Sequence, residues 1–157
     1  MSIRIKPWEG CFHLPEYKTA GAAGADCYAA QATTVLCGEA KKIPLGFAIE
    51  LPPGKAAFML PRSTSIMHGF AAYGLIDSDY RGQVHVFVQY FGIGALKIER
   101  GDRICQMVIQ SVDTPKFDAV DQLTETERGE GGFGSTNNQL SKAERDRIIA
   151  HHFDWMQ

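Results

Sequence analysis

Short apolar runs of period two, punctuated by glycine and proline, dominate the chain. Ile3 and Ile5 alternate with cations, and Ile43 to Leu51 runs into the turn Pro52-Pro53-Gly54. Ala56 to Leu60 forms another apolar run. In Gln83-Val84-His85-Val86-Phe87-Val88-Gln89 the three valines share one face of a strand and the other side chains share the opposite face. Leu96 and Ile98 predict a strand before the turn Arg100-Gly101-Asp102. Cys105, Met107 and Ile109 then alternate with Gln106, Val108 and Gln110. Many short strands separated by turn signals indicate an all-β sandwich, jelly roll or barrel. No internal repeat or linker interrupts them.

Two regions leave this pattern. Asp121 to Asn138 is polar and glycine-rich and reads as a flexible arm. Ser141-Lys142-Ala143-Glu144 is a capping box. It predicts a helix over Arg145 to Met156 with Ile148, Ile149, His152, Phe153 and Met156 in one stripe. Such a stripe suits docking on this protein or its oligomer; recruitment of another protein is the sharper alternative. The expected organisation is a β-domain over 1–120, an arm over 121–138 and a helical extension over 139–157.

A chain of 157 residues with 45% hydrophobic and 22% charged residues suits one soluble domain with one core. The net charge of −2 argues against nonspecific binding of long nucleic acid, which needs a basic stripe. A small phosphorylated ligand needs only a few local cations. No apolar stretch approaches the roughly 20 residues that span a bilayer. The first residues lack the apolar segment of a signal peptide, so an intracellular location, cytoplasmic or nuclear, is expected. Cys11, Cys27, Cys37 and Cys105 lack metal-site or redox spacing and read as small apolar fillers.

Five segments carry candidate chemistry. Gly74-Leu75-Ile76-Asp77-Ser78-Asp79-Tyr80-Arg81-Gly82 puts carboxylates and a ring on one bend at a strand edge. A carboxylate there can take a proton from water, although Asp also caps ordinary turns. Pro61-Arg62-Ser63-Thr64-Ser65 offers a guanidinium and hydroxyls to phosphate oxygens; a polar turn with a structural ion pair is the bland reading. Ala23-Gly24-Ala25-Asp26 reads as a small-residue turn ending in a carboxylate, able to orient water around magnesium. In Gly101 to Gln106, Asp102 and Arg103 read as structural and Gln106 as able to reach a ligand. Arg128-Gly129-Glu130-Gly131-Gly132-Phe133-Gly134-Ser135-Thr136 matches no Walker or dinucleotide loop, yet can fold over a ligand and exclude water.

In this order and in a chain of this length, the five segments resemble the trimeric, all-β deoxyuridine triphosphatase (dUTPase) family, over roughly residues 3 to 137. The resemblance implies a jelly-roll-like or distorted β-barrel subunit, a homotrimer with shared active sites, and conversion of dUTP and water to dUMP and pyrophosphate. It implies that Asp77 activates the water attacking the α-phosphorus, and that Tyr80 packs on the deoxyribose. Asp26 would act through water on Mg2+ held by the triphosphate. Arg62, Ser63, Thr64 and Gln106 would serve the phosphates, and Gly74 and Ile76 the base pocket. Arg128, Ser135 and Thr136 would hold the terminal phosphate, with Gly134 beside them and Phe133 stacked on uracil. No histidine is required, so His68 and His85 read as surface or packing residues.

The sequence also departs from the family. Thr64-Ser65-Ile66 replaces the usual Gly or Ser and Leu after Pro61-Arg62-Ser63. The expected base-pocket hairpin between Gly69 and Gly74, Phe70-Ala71-Ala72-Tyr73, is a residue or more short and lacks an asparagine near its tip. Asn137 stands where the family has glycine. Two other functions compete: a dUTPase-like nucleotide-binding regulatory module that engages a protein partner through its arm or helix, and a dCTP-deaminating relative. The latter lacks a matching glutamate segment beside Pro61-Arg62-Ser63.

Overall fold

Alternating apolar positions fold into ten strands, joined by one short helix, among the residues that the computed structural model describes, 2–132 and 141–143. Six strands form the main sheet, in the order β2 (Ala25–Tyr28), β10 (Arg103–Ser111), β6 (Lys55–Leu60), β7 (Phe70–Ile76), β8 (His85–Tyr90) and β4 (Ala40–Pro44). Two ribbons complete the β-structure: β1 (Arg4–Pro7) with β5 (Phe47–Glu50), and β3 (Thr33–Leu36) with β9 (Ala95–Ile98). The pairings are antiparallel, and the fold is jelly-roll-like.

The period-two reading of β8 holds side chain by side chain. Val84, Val86 and Val88 are fully buried, while Phe87 on the other face is half exposed. The valines join Ile43, Leu45, Phe47, Met59, Cys105 and Met107 in one core. Each such side chain contributes roughly 1.5–3 kcal/mol by leaving water.

Three local expectations need correction. Residues 69–74 are not a hairpin by themselves: β7 runs unbroken from Phe70 to Ile76 and is one arm of an antiparallel hairpin whose other arm is β8. Its first four residues pair with β8, from Phe70↔Tyr90 to Tyr73↔Phe87. Its last three pair with β6, Gly74 lying opposite Met59. Asp26 does not end a turn but lies inside β2, opposite Gln106. Pro61-Arg62-Ser63-Thr64-Ser65 is not just a turn, because a short helix, α1, spans Ser63–Met67.

The run Ile43 to Leu51 is likewise split into β4 and β5. Gly46 sits at the break with φ +74°, a region that L side chains rarely adopt. Val84 bridges the gap: Leu45 N–H donates to its carbonyl at 3.0 Å, and its own N–H donates to the Phe47 carbonyl at 2.7 Å. Cys27 and Cys105 face each other across β2 and β10, fully buried. The hydrogen bond with Cys27, and then burial, push the Cys105 thiol well above its ordinary pKa. Cys37, by contrast, is exposed and no core filler.

The chain divides into two compact units, Met1–Pro115 and Lys116–Gln157. In the second, Arg128 Nε donates to the Gly131 carbonyl at 2.8 Å, and Gly129 N–H donates to the Thr126 carbonyl at 3.0 Å. Lys142 and Ala143 are helical. Phe133, Gly134, Ser135 and Thr136, and the whole helix predicted over Arg145 to Met156, lie outside the described residues. Among the described residues, no helix is long and apolar enough to cross a membrane.

Gly46→Ala would set a methyl 2.6 Å from the Cys11 Cα as well as straining φ. It should cost at least about 2 kcal/mol in urea unfolding. In native protein a disulfide-exchange reagent should titrate Cys37 promptly, and Cys27 and Cys105 only after denaturant is added.

Candidate active site

Two groups of predicted residues come together, at different places on the first unit. The first is built on β2, β10 and the segment after β6. Asp26 Oδ1 accepts from Arg62 Nε at 3.0 Å, and Asp26 Oδ2 accepts from Arg103 Nη1 at 3.1 Å. Asp26 is largely buried, its side chain 13% exposed, so the two guanidinium groups compensate the charge that burial would penalise. Gln106 lies opposite Asp26 on β10 and donates from Nε2 to the Pro61 carbonyl at 3.0 Å. Its amide covers Gly24, where a Cβ would stand 2.5 Å from Oε1. Ser63 opens α1 and is exposed. Arg62, Arg103, Thr64, His68 and Lys97 line an adjoining concavity of about 450 Å³, a cation-rich surface suited to phosphate oxygens.

The second group is built on the end of β7 and the start of β8. Tyr80 N–H donates to the Asp77 carbonyl at 3.2 Å, closing the bend, and Tyr80 Oη donates to the Gln83 carbonyl at 3.0 Å. The ring then lies over Gly82, where a Cβ would stand 2.4 Å from Oη. Asp77 and Tyr80 line a concavity of about 260 Å³ with Gly74, His85 and Phe87. Asp79 does not line it. The Asp77 carboxylate makes no hydrogen bond among the described residues, so it is free to receive one from water. Ile76 also lines the concavity, although it is buried.

The two groups share no lining residue. Register explains why. Asp26 and Leu60 both pair with Gln106, whereas Ile76, next to Asp77, pairs with Ala57. Asp77 therefore lies roughly 13 Å along the strands and roughly 14 Å across them from Asp26. Within one chain Asp77 and Arg62, the partner of Asp26, thus line separate concavities. Arg128, the remaining described candidate, belongs to the second unit.

Three residues without a site role in the sequence reading line these concavities. Arg103 read as structural, and it does share Asp26 with Arg62, although it also lines the concavity beside them; its place at the start of β10, beside Asp26's strand, was the available signal. Phe87 drew no assignment and His85 read as a surface or packing residue; period two already set both opposite the core valines.

Asp26→Asn would turn an amide donor toward two guanidinium groups. It should lower stability by roughly 1–3 kcal/mol, measured by urea denaturation, with Arg103→Met costing less because Arg103 is the more exposed partner.

A family model described as dUTPase matches residues 11–137. A deoxyuridine 5'-triphosphate nucleotidohydrolase of Anaeromyxobacter sp. (strain Fw109-5) is 44% identical over 127 residues, covering 78% of this chain and 86% of the relative. One of Thermobifida fusca (strain YX) is 42% identical over 148 residues, covering 91% and 83%. Among solved structures, a mutant dUTPase of Staphylococcus bacteriophage 80alpha with dUpNHpp superposes with a TM-score of 0.78 at 23% identity, covering 87% of this chain and 98% of that one. A mutant dUTPase from phage phi11 of S. aureus, described with a structural Mg(II) ion, gives 0.71 at 19% identity, covering 80% and 100%.

Proposed function

The chain belongs to the dUTPase family and is a dUTP-hydrolysing enzyme, and we propose that its active site joins the Asp77 concavity of one copy to the Arg62 concavity of another. The observation that supports this reading is the Asp77 carboxylate, without a hydrogen bond among the described residues, in the same concavity as Tyr80 and apart from the concavity of Arg62. A homotrimer with three shared sites accounts for that separation, and the phosphate-facing groups then come from a neighbour.

In this reading Asp77 accepts a proton from the water that attacks the α-phosphorus, as a general base. Tyr80, fixed by Gln83, presents its ring to the deoxyribose and excludes water from that side. Arg62, Ser63, Thr64 and Gln106 orient the phosphate chain, and little covalent chemistry falls to the protein beyond positioning and charge. Arg128 and the segment Phe133 to Thr136 supply the remaining contacts to the terminal phosphate and the base.

Magnesium fits this donor set only at one remove. Among the described residues no three His, Cys, Asp or Glu side chains gather to hold an ion directly. Both Asp26 oxygens accept from arginine, and each retains a lone pair for a water molecule. Asp26 would therefore hold a water of an ion carried by the triphosphate, and that ion would supply charge neutralisation at the phosphates. Such an enzyme would act inside the cell, in cytoplasm or nucleus, where the nucleotide pool lies.

Pyrophosphate release should be rapid with dUTP and slow with dCTP, dTTP and UTP, and should require magnesium. Asp77→Asn should keep nucleotide binding but turn over at least ~10²-fold more slowly. Unchanged turnover would remove Asp77 from its role, and ammonia released from dCTP would mark a deaminase instead.

A further inference from the structure

The hairpin of β7 and β8 carries Asp77 and Tyr80 on the bend between its arms. The bend lies outside the ladder of the two strands and is held by hydrogen bonds of its own. Tyr80 N–H to the Asp77 carbonyl and Tyr80 Oη to the Gln83 carbonyl are two of them. Arg81 supplies two more from a single nitrogen. Its Nη1 donates to the Ser78 carbonyl at 2.7 Å and to the Tyr80 carbonyl at 2.9 Å, tying together the residues on either side of Asp79.

The second nitrogen of the guanidinium faces another part of the fold. Nη2 lies 3.9 Å from Glu50 Oε1 on β5, and the same oxygen accepts from Arg4 Nη2, Arg4 being the register partner of Glu50 on β1. Arg81 thus couples the bend to a ribbon that is separate from the main sheet. It lines a concavity of about 290 Å³ with Arg4, Ile5, Lys6, Ile49 and Glu50. Neither Arg81 nor any of these residues lines the concavity of Asp77 and Tyr80.

Resting on the dUTPase reading above, we infer that Arg81 is a positioning residue for the hydrolysis: it fixes, from outside the concavity, the angle at which the bend presents the Asp77 carboxylate and the Tyr80 ring. A general base has to stand within hydrogen-bond reach of its water, and a displacement of about 1 Å can lower a rate by about 10²-fold. The plain alternative is a surface ion pair that adds to stability. Exposure decides against it. The side chains of Arg4, Glu50 and Arg81 are 81%, 37% and 53% exposed, and ion pairs in that setting contribute little to stability. A lysine at position 81 would carry the charge on one nitrogen, without the planar fork that serves the carbonyls with one nitrogen and faces Glu50 with the other.

The test is kcat and KM for pyrophosphate release from dUTP, with urea denaturation in parallel, for wild type, Arg81→Ala, Arg81→Lys and Glu50→Gln. Arg81→Ala should lower kcat at least about tenfold with KM within about threefold of wild type, the pattern of a group that acts in the transition state alone, and should leave the denaturation midpoint in place. Arg81→Lys should fall between Arg81→Ala and wild type. Glu50→Gln keeps both carbonyl bonds and should show a smaller loss, again in kcat. A folded Arg81→Ala with wild-type kcat would overturn the inference, as would a loss confined to KM. Where Arg81→Ala fails to fold, wild-type kcat in both Arg81→Lys and Glu50→Gln would overturn it. A wild-type protein that releases no pyrophosphate from dUTP would overturn the underlying dUTPase reading instead, which separates the two failures.

Discussion

Strand β7 has to serve two partners, and the arrangement of the site follows from that constraint. Its backbone bonds to β8 through Phe70 to Tyr73 and to β6 from Gly74 to Ile76. The changeover falls at a glycine packed against Met59, where a Cβ would stand 3.2 Å from Cγ. Beyond Ile76 the chain leaves the sheet and bends, so Asp77 emerges at a strand end with no backbone ladder to occupy it. A carboxylate at such a point is held in place by the sheet yet left open to solvent, which a proton acceptor requires.

The sheet also explains the division of labour between carboxylates. Asp26 sits within a strand and is clasped by Arg62 and Arg103, so it is a fixed negative centre in a positive surround. Asp77 has no such clasp among the described residues. The first can organise phosphate-binding groups around itself, and the second can change its hydrogen bonding during a reaction. Identical side chains thus acquire different chemistry from whether cations or water surround them.

Much of this was legible in the sequence. The valines of β8 and the alternation of β10 declared their faces because period two survives any tertiary detail. The ordered segments around Asp26, Arg62, Asp77 and Gln106 pointed to the family. β7 was less legible: Phe70-Ala71-Ala72-Tyr73-Gly74 is poor in β-branched residues, and its strand exists because β6 and β8 flank it, a tertiary choice over local preference. The helix over Ser63–Met67 was hidden for a similar reason, since Ser-Thr-Ser-Ile-Met carries no strong helical signal. Arg103 was hidden because its partner is 77 positions away in the chain.

The two-sidedness of β8 carries an evolutionary consequence. Val84, Val86 and Val88 commit one side of the ribbon to holding the molecule together, and any change there is felt as lost packing. His85 and Phe87 bear no such duty. Single-codon changes at His85 and Phe87 can therefore reshape the concavity beside Asp77 without emptying the core.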